Sequence, residues 1–408
     1  MSHSYMTTIG EIAEVFDGPH ATPKKLPSGP YFLSISSLDK GRLDLTKSAF
    51  LSEEDFKKWT KRVTPKEGDL LFSYETRLGE AALMPAGVRA CLGRRMGLLR
   101  FNKAKVMPEY ALYAYLSPAF QQTIKANTLT GATVDRLSIS EFPNFPIRIP
   151  PLEEQKKVAD LLGSIDKKIA LNNRINAELE GMAKTLYDYW FVQFDFPDAN
   201  GKPYKTSGGK MAYNATLKRE IPAGWAVKTL SQIADITMGQ SPAGETYNEN
   251  GIGTLFFQGS TDFGWLFPTP RQYTTSPARM AKKGDILLSV RAPVGDMNIA
   301  NADCCIGRGL AALNSKSGSD GFLFYVMKYF KQVFERRNAE GTTFGSITKD
   351  DLHSLQVVCP EPELLKRYDG IVSEYNKMIF TRSFENQDLI KLRDWLLPLL
   401  MNGQVTVK

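Results

Sequence analysis

The chain has 408 residues, 42% hydrophobic and 23% charged, which suits two or three globular domains with real cores. It offers no apolar run of about 18 residues for a membrane span, and its start, MSHSYMTTIGEIAEV, does not read as a secretory signal. Four cysteines (Cys91, Cys304, Cys305, Cys359), two of them adjacent, form no CxxC, and three histidines lie far apart. Neither a zinc site nor a disulfide framework is expected, and a reducing, cytoplasmic location fits best.

The net charge is +7 and is unevenly placed. Residues 1–150 hold 20 Lys and Arg against 15 Asp and Glu, and residues 206–360 hold 16 against 13, while the rest is balanced to within one charge. Two basic blocks suggest polyanion contact at two places.

In chain order, residues 1–150 present short β-type runs (YFLSI, DLLFS, FPIRI) broken by Gly, Pro, Asn and Asp turns, with a helical stretch at 108–127. A Pro pair, Pro150-Pro151, then stops the strand pattern, and a long helix is expected over 151–192. Its apolar residues Val158, Leu161, Ile165, Ile175, Leu179, Met182, Leu186 and Tyr189 recur at spacings near three and four, with breaks at Lys168 and Asn172. Residues 193–224, rich in Gly, Lys, Asn and Pro, read as a linker with partial structure. Residues 225–360 repeat the strand plan (TLFFQ, DILLSV, SLQVV) with a helix near 322–338. A second long helix is expected over 361–402, with Tyr368, Ile371, Tyr375, Met378, Leu389, Leu392 and Leu396 on its stripe and breaks at Arg382 and Glu385.

The halves are copies. KEGDLLFS (66–73) matches KKGDILLS (282–289), TIGEIAE (8–14) matches TLSQIAD (229–235), CLGRRMGLL (91–99) matches CIGRGLAAL (305–313), and TGATVDRLS (130–138) matches EGTTFGSIT (340–348). The offset drifts from 221 to 210, the mark of a duplicated module with loop changes and not of a short-unit solenoid. The predicted fold is α+β: two tandem, pseudo-twofold-related mixed α/β domains separated by an antiparallel coiled coil of two long helices. Some 38 helical residues would span roughly 57 Å.

Catalytic signatures are missing. There is no FxGxG cofactor loop, no Asn/Asp-Pro-Pro-aromatic motif, no P-loop and no GxSxG. PDANGK (197–202) lacks the second acid of a Mg²⁺-dependent nuclease.

Taken together, the two half-chain domains, the helix entered through IPPLEEQKKVADLLGSID, and the phrases DGPHATPKK, FSYETRLGEAAL, MGQSP, GDILLSVRAPVGDMNIA, IGRGLAAL and LRDWLLPLLMNGQV resemble the specificity subunit of type I restriction–modification enzymes. The resemblance covers nearly the whole chain. It implies a host-defence and DNA-methylation role without catalysis in this chain. Residues 1–150 and 225–360 would be target-recognition domains, each reading one half of a bipartite, asymmetric double-stranded DNA site. The paired helices would set the spacing and dock two methyltransferase (modification) subunits. The resemblance implies no cofactor here, S-adenosylmethionine in the methyltransferase partner, and ATP and Mg²⁺ in an optional restriction and translocase partner. The alternative is a non-catalytic coiled-coil scaffold for protein partners.

DNA contacts are expected from polar and basic residues in loops beside the repeated strands. In the first half these are His20, Thr22, Lys24, Tyr74, Arg77, Arg94, Arg95, Thr133 and Arg136. In the second they are Gln240, Ser241, Gln258, Ser260, Arg291, Arg308, Thr342 and Thr343. Arginine can grip guanine O6 and N7 together, and glutamine adenine N6 and N7. Arg94 and Arg308 occupy matched positions, which favours a shared job such as phosphate binding or packing over base choice.

Overall fold

The computed structural model describes residues 4–407 apart from 20, 131–133, 292 and 340–345; of 333–339 it describes only the backbone. The chain divides into two units, Met1–Leu171 with Glu385–Lys408, and Asn172–Phe384.

Unit 1 opens with the strand Tyr5–Thr8, which pairs antiparallel with Pro146–Ile149, the strand that leads into the first long helix. Its main sheet has four antiparallel strands in the order Ala13–Asp17, Met96–Phe101, Leu70–Ser73, Ala81–Leu83. The central strand Leu70–Ser73 is buried along its whole length, which its uninterrupted apolar run requires. A smaller sheet orders Ala49–Phe50, Leu26–Phe32 and Ala90–Cys91, with a parallel pair at Phe32↔Cys91. Two helices, Pro108–Leu116 and Pro118–Ala126, cover the main sheet. Each begins with proline at its first turn, where the missing N–H costs nothing, and Ser117 Oγ caps the second.

Unit 2 repeats this topology. Ala226–Thr229 pairs with Gln356–Cys359. The main sheet runs Ala234–Met238, Leu310–Ser315, Ile286–Ser289, Met297–Ile299, again antiparallel. The second sheet has five strands here against three in unit 1, and again holds a parallel pair, Phe257↔Ile306. The duplication read from short phrases is therefore a duplication of the main sheet's strand order and register.

The segment expected as a linker contributes more than a tether. Helix Leu152–Tyr187 runs into a π-helical turn, Asp188–Val192. Trp190, Phe191 and Phe196 then join the core of unit 2 with Tyr187 and Tyr368. A hairpin follows, Met211–Asn214 against Arg219–Pro222.

The long helices Leu152–Tyr187 and Pro362–Met401 pair antiparallel within each unit. In unit 1, Arg393 bridges Asp166 at 2.9 Å and Glu385 bridges Lys168 at 3.3 Å. In unit 2, Asn176 donates to Ser383 Oγ at 3.3 Å and Tyr368 donates to the Ala183 carbonyl at 3.3 Å.

The seam differs from the expected one. A buried stripe on the first helix runs Gln155, Val158, Leu162, Ile165, Ile169, Asn172, Asn176, Leu179 and Ala183, an unbroken alternation of threes and fours, with Tyr187 buried one turn further on and Ala159 buried beside it. Asn172 is thus part of the stripe and not a break, while Leu161 and Ile175 lie at its margin and Met182 and Tyr189 are exposed. On the second helix Leu364, Tyr368, Val372, Ile379 and Asn386 are buried, and Ile371, Met378 and Leu392 are exposed. Buried asparagines misled a count of apolar residues.

Candidate nucleic-acid interface

The phrase written twice is a frame element. In each copy glycine takes a left-handed conformation, φ +84° at Gly68 and +98° at Gly284, so the chain can turn into a buried strand. The following aspartate closes the turn. Asp69 accepts the Lys66 N–H and Asp285 the Lys282 N–H, both at 2.8 Å. Beyond the turn the copies diverge: Asp69 is gripped by the Arg100 guanidinium at 2.6 and 3.1 Å, whereas Asp285 accepts from the neutral Asn314 amide at 3.2 Å.

The strand leaving each turn ends in a serine that holds the next loop. Ser73 donates to the Glu75 carbonyl and Ser289 to the Arg291 carbonyl, both at 2.8 Å. The loop is then bridged to a later segment, Glu75 to Arg136 and Arg291 to Ser346. Sequences that differ between the copies are thereby anchored on equivalent backbone.

A second repeated device lies alongside. The Gly18 N–H donates to the Met96 carbonyl at 2.8 Å, and the Gly239 N–H to the Leu310 carbonyl at 2.9 Å. A Cβ at Gly18 would sit 2.5 Å from the Gly93 oxygen, and one at Gly239 2.1 Å from the Gly307 oxygen. Only a glycine allows this approach, which seats the DGP and MGQ loops on the loops that carry Arg94 and Arg308.

The expected contact residues separate on this geometry. In unit 1, Thr22, Lys24, Arg94 and Arg136 are exposed. Tyr74 is corrected: its ring is buried in the core with only 7% exposure, and burial raises its phenol pKa. Arg77 and Arg95 are committed internally. Arg77 donates to the Ile35 carbonyl at 3.1 Å and pairs with Glu80 at 3.3 Å. Arg95, at φ +71°, pairs with Glu75 at 2.9 Å. His20 and Thr133 lie outside the described residues.

In unit 2, Gln240, Gln258, Arg291 and Arg308 are exposed and Ser241 and Ser260 partly so. Four of these converge. Ser241 Oγ and the Gln258 amide are hydrogen-bonded at 2.9–3.0 Å, the Arg308 N–H donates to Ser241 Oγ at 3.3 Å, and the Gln240 N–H donates to the Ile306 carbonyl at 3.0 Å. An oriented amide beside an arginine can address a base edge. Thr342 and Thr343 lie outside the described residues.

Two features escaped the sequence reading. Gln155, fully buried, ties the start of the first long helix to unit 1. Its amide donates to the carbonyls of Lys105 and Pro150 at 2.9 and 2.8 Å and accepts the Met107 N–H at 2.8 Å. The second is the run Lys57-Lys58-Trp59-Thr60-Lys61-Arg62, four cations in six residues, which is visible in the sequence and lies beside Gly18. No group of three or more His, Cys, Asp or Glu side chains suited to a metal ion occurs among the described residues. Nor is any helix among them long and apolar enough to cross a membrane.

The family model for the type I restriction modification DNA specificity domain matches this chain twice, at residues 3–181 and 222–366. The chain is 32% identical to the putative type I restriction enzyme MjaX specificity subunit of Methanocaldococcus jannaschii, over 98% of this chain and 96% of that one. It is 24% identical to the MjaIX specificity subunit of the same organism, over 98% and 90%. Among solved structures, the S subunit of a type I restriction–modification system from M. genitalium aligns over 98% of this chain and 96% of its own, with a TM-score of 0.57 and 16% identity, a likeness of fold.

Proposed function

The chain belongs to the type I restriction–modification DNA specificity family, whose role is DNA recognition, and on that premise we propose how it divides the task. Each unit reads one half of a bipartite, asymmetric double-stranded site. The paired helices fix the interval between the halves and dock two methyltransferase subunits, with a restriction and translocase subunit as an optional further partner. Catalysis belongs to those partners: S-adenosylmethionine would be bound by the methyltransferase, and ATP and Mg²⁺ by the restriction subunit, all in the cytoplasm.

The observation that carries this reading is the repeated frame with divergent loops. The Gly-Asp turn, the serine latch and the glycine crossing recur at equivalent positions, yet the exposed residues beside them differ: Thr22, Lys24 and Arg136 in unit 1 against Gln240, Gln258 and Arg291 in unit 2. Equal frames with unequal faces suit two readers of unlike half-sites, whereas a symmetric dimer would read a palindrome. Within each reader the exposed cations, Arg94 and Arg308 first, would hold phosphates, and the Ser241–Gln258 pair would address a base edge.

The test is co-expression with a cognate methyltransferase subunit, followed by sequencing of modified adenines in host DNA. The reading requires one gapped, non-palindromic motif. Co-purification without any site-specific methylation would leave only a scaffold and refute it.

A further inference from the structure

Helix Glu53–Trp59 of unit 1 has no counterpart in unit 2, where no helix stands between the strands Gln272–Thr274 and Met280–Ala281. It is well founded locally. Ser52 Oγ caps it by accepting the Asp55 N–H at 3.1 Å, three acids occupy its first turn, and Lys57 and Lys58 its last. Phe56 and Trp59 anchor it on Phe32, Leu51 and Cys91 of the smaller sheet. That leaves Lys57, Lys58, Lys61 and Arg62 exposed.

Lys58, Trp59, Lys61 and Arg62 line an open cleft of about 370 Å³, faced by Asp17, Gly18 and Pro19. The ammonium of Lys58 lies 5.3 Å from the centroid of the Trp59 ring, which buttresses it. The lining has one acid, Asp17, and Arg62 pairs with it at 2.6 Å while staying 72% exposed on its side chain. Gly18, in the opposite wall, is the residue seated on the loop that carries Arg94. Three cations against one carboxylate therefore border the loops expected to meet DNA.

We infer that this cleft seats the sugar–phosphate backbone of the DNA strand next to the half-site read by unit 1. The inference rests on the DNA-reading role proposed above. Phosphate contacts of this kind position a reader without selecting bases. The partner class follows from the charge, since the cleft presents three cations and a tryptophan wall to a polyanion that would run past Arg94.

The test uses the full chain, alone and assembled with its methyltransferase subunits, and a random-sequence DNA duplex as probe. Affinity is measured by anisotropy over a series of salt concentrations. Each lost phosphate contact lowers the slope of log K against log salt by about 0.9, so Lys58→Gln/Lys61→Gln/Arg62→Gln should make it shallower by about 2 to 3. A control with the same charge change on the linker, Lys202→Gln/Lys205→Gln/Lys210→Gln, should keep the original slope. If the triple variant misfolds, as exposure of Cys91 to thiol reagents would reveal, Lys61→Gln alone should still lower the slope by about 0.9. An unchanged slope overturns the inference, as does loss of a protein subunit with DNA binding intact, which would make the cleft a protein contact. Failure of the unaltered protein to bind DNA in a salt-dependent way would instead overturn the DNA-reading role.

Discussion

Asp69→Ala should destabilise unit 1 far more than Asp285→Ala destabilises unit 2, although the two aspartates hold the same place in a repeated phrase. Both replacements free a lysine N–H, that of Lys66 or Lys282, from its acceptor. Only Asp69→Ala also strips a guanidinium of a two-point grip, at 2.6 and 3.1 Å. The Asp69 side chain is 5% exposed and that of Arg100 30%, and Arg100 keeps the Thr64 carbonyl at 2.9 Å, so the arginine is partly resolvated after the change. A charge-assisted pair with one partly wetted member plus one orphaned N–H gives about 3 kcal/mol for Asp69→Ala. Asp285→Ala loses two neutral donors and should cost about 1–2 kcal/mol.

The chain supplies its own reporters. Cys91 in unit 1 and Cys359 in unit 2 are buried, and burial pushes both thiols up, that of Cys91 to about 12, so each reacts only when its unit opens. Thiol labelling across a urea series, read peptide by peptide, gives a midpoint for each unit. With a urea slope of about 2 kcal/mol per M, Asp69→Ala should move the Cys91 midpoint down by about 1.5 M and Asp285→Ala the Cys359 midpoint by about 0.5–1 M. Equal shifts, or Cys359 following Cys91 in Asp69→Ala, would refute the assignment of the larger contribution to the Arg100 pair.

Gly18→Ala and Gly239→Ala would each force a Cβ onto a backbone oxygen, at 2.5 and 2.1 Å, and must displace the loop bearing Arg94 or Arg308. An overpacking cost of about 1–3 kcal/mol in the affected unit is expected, with DNA affinity falling about tenfold and the Cys labelling of the other unit unchanged. High pH is the other lever. Burial raises the phenols of Tyr113, Tyr115, Tyr187, Tyr325 and Tyr368 well above their ordinary 10.0, and that of Tyr110 to about 12. The unfolded chain then releases these protons first, so stability is full below about pH 10 and falls as pH rises past it. Phenolate absorbance should appear together with loss of helical ellipticity; full ionisation in a still-helical protein would contradict this.

The duplicated topology was legible because turn-forming phrases recur where backbone geometry must recur: KEGD and KKGD, and the glycines at 18, 93, 239 and 307. The long helices were legible in extent but not in register. Asn172 and Asn176 lie buried in the seam, with Asn176 donating to Ser383 Oγ far along the chain, and a count of apolar residues passes over them. Interface residues were the least legible. An exposed Arg94 and an Arg95 committed to Glu75 are adjacent in sequence, and only the long-range pair separates them. Tyr74 follows a buried strand and stays in the core, which no local pattern signals. The KKWTKR run was in view, but its place opposite Gly18 depends on how the helix Glu53–Trp59 packs on the smaller sheet.

The central claim, one reader per unit, is tested most directly by exchange. Residues 1–150 are replaced by the corresponding region of another member of the family, the hybrid is co-expressed with methyltransferase subunits, and the methylated adenines are mapped by sequencing. The account predicts a motif in which one half-site changes while the other half-site and the gap between them are kept. A motif altered in both halves, or not altered at all, would contradict it.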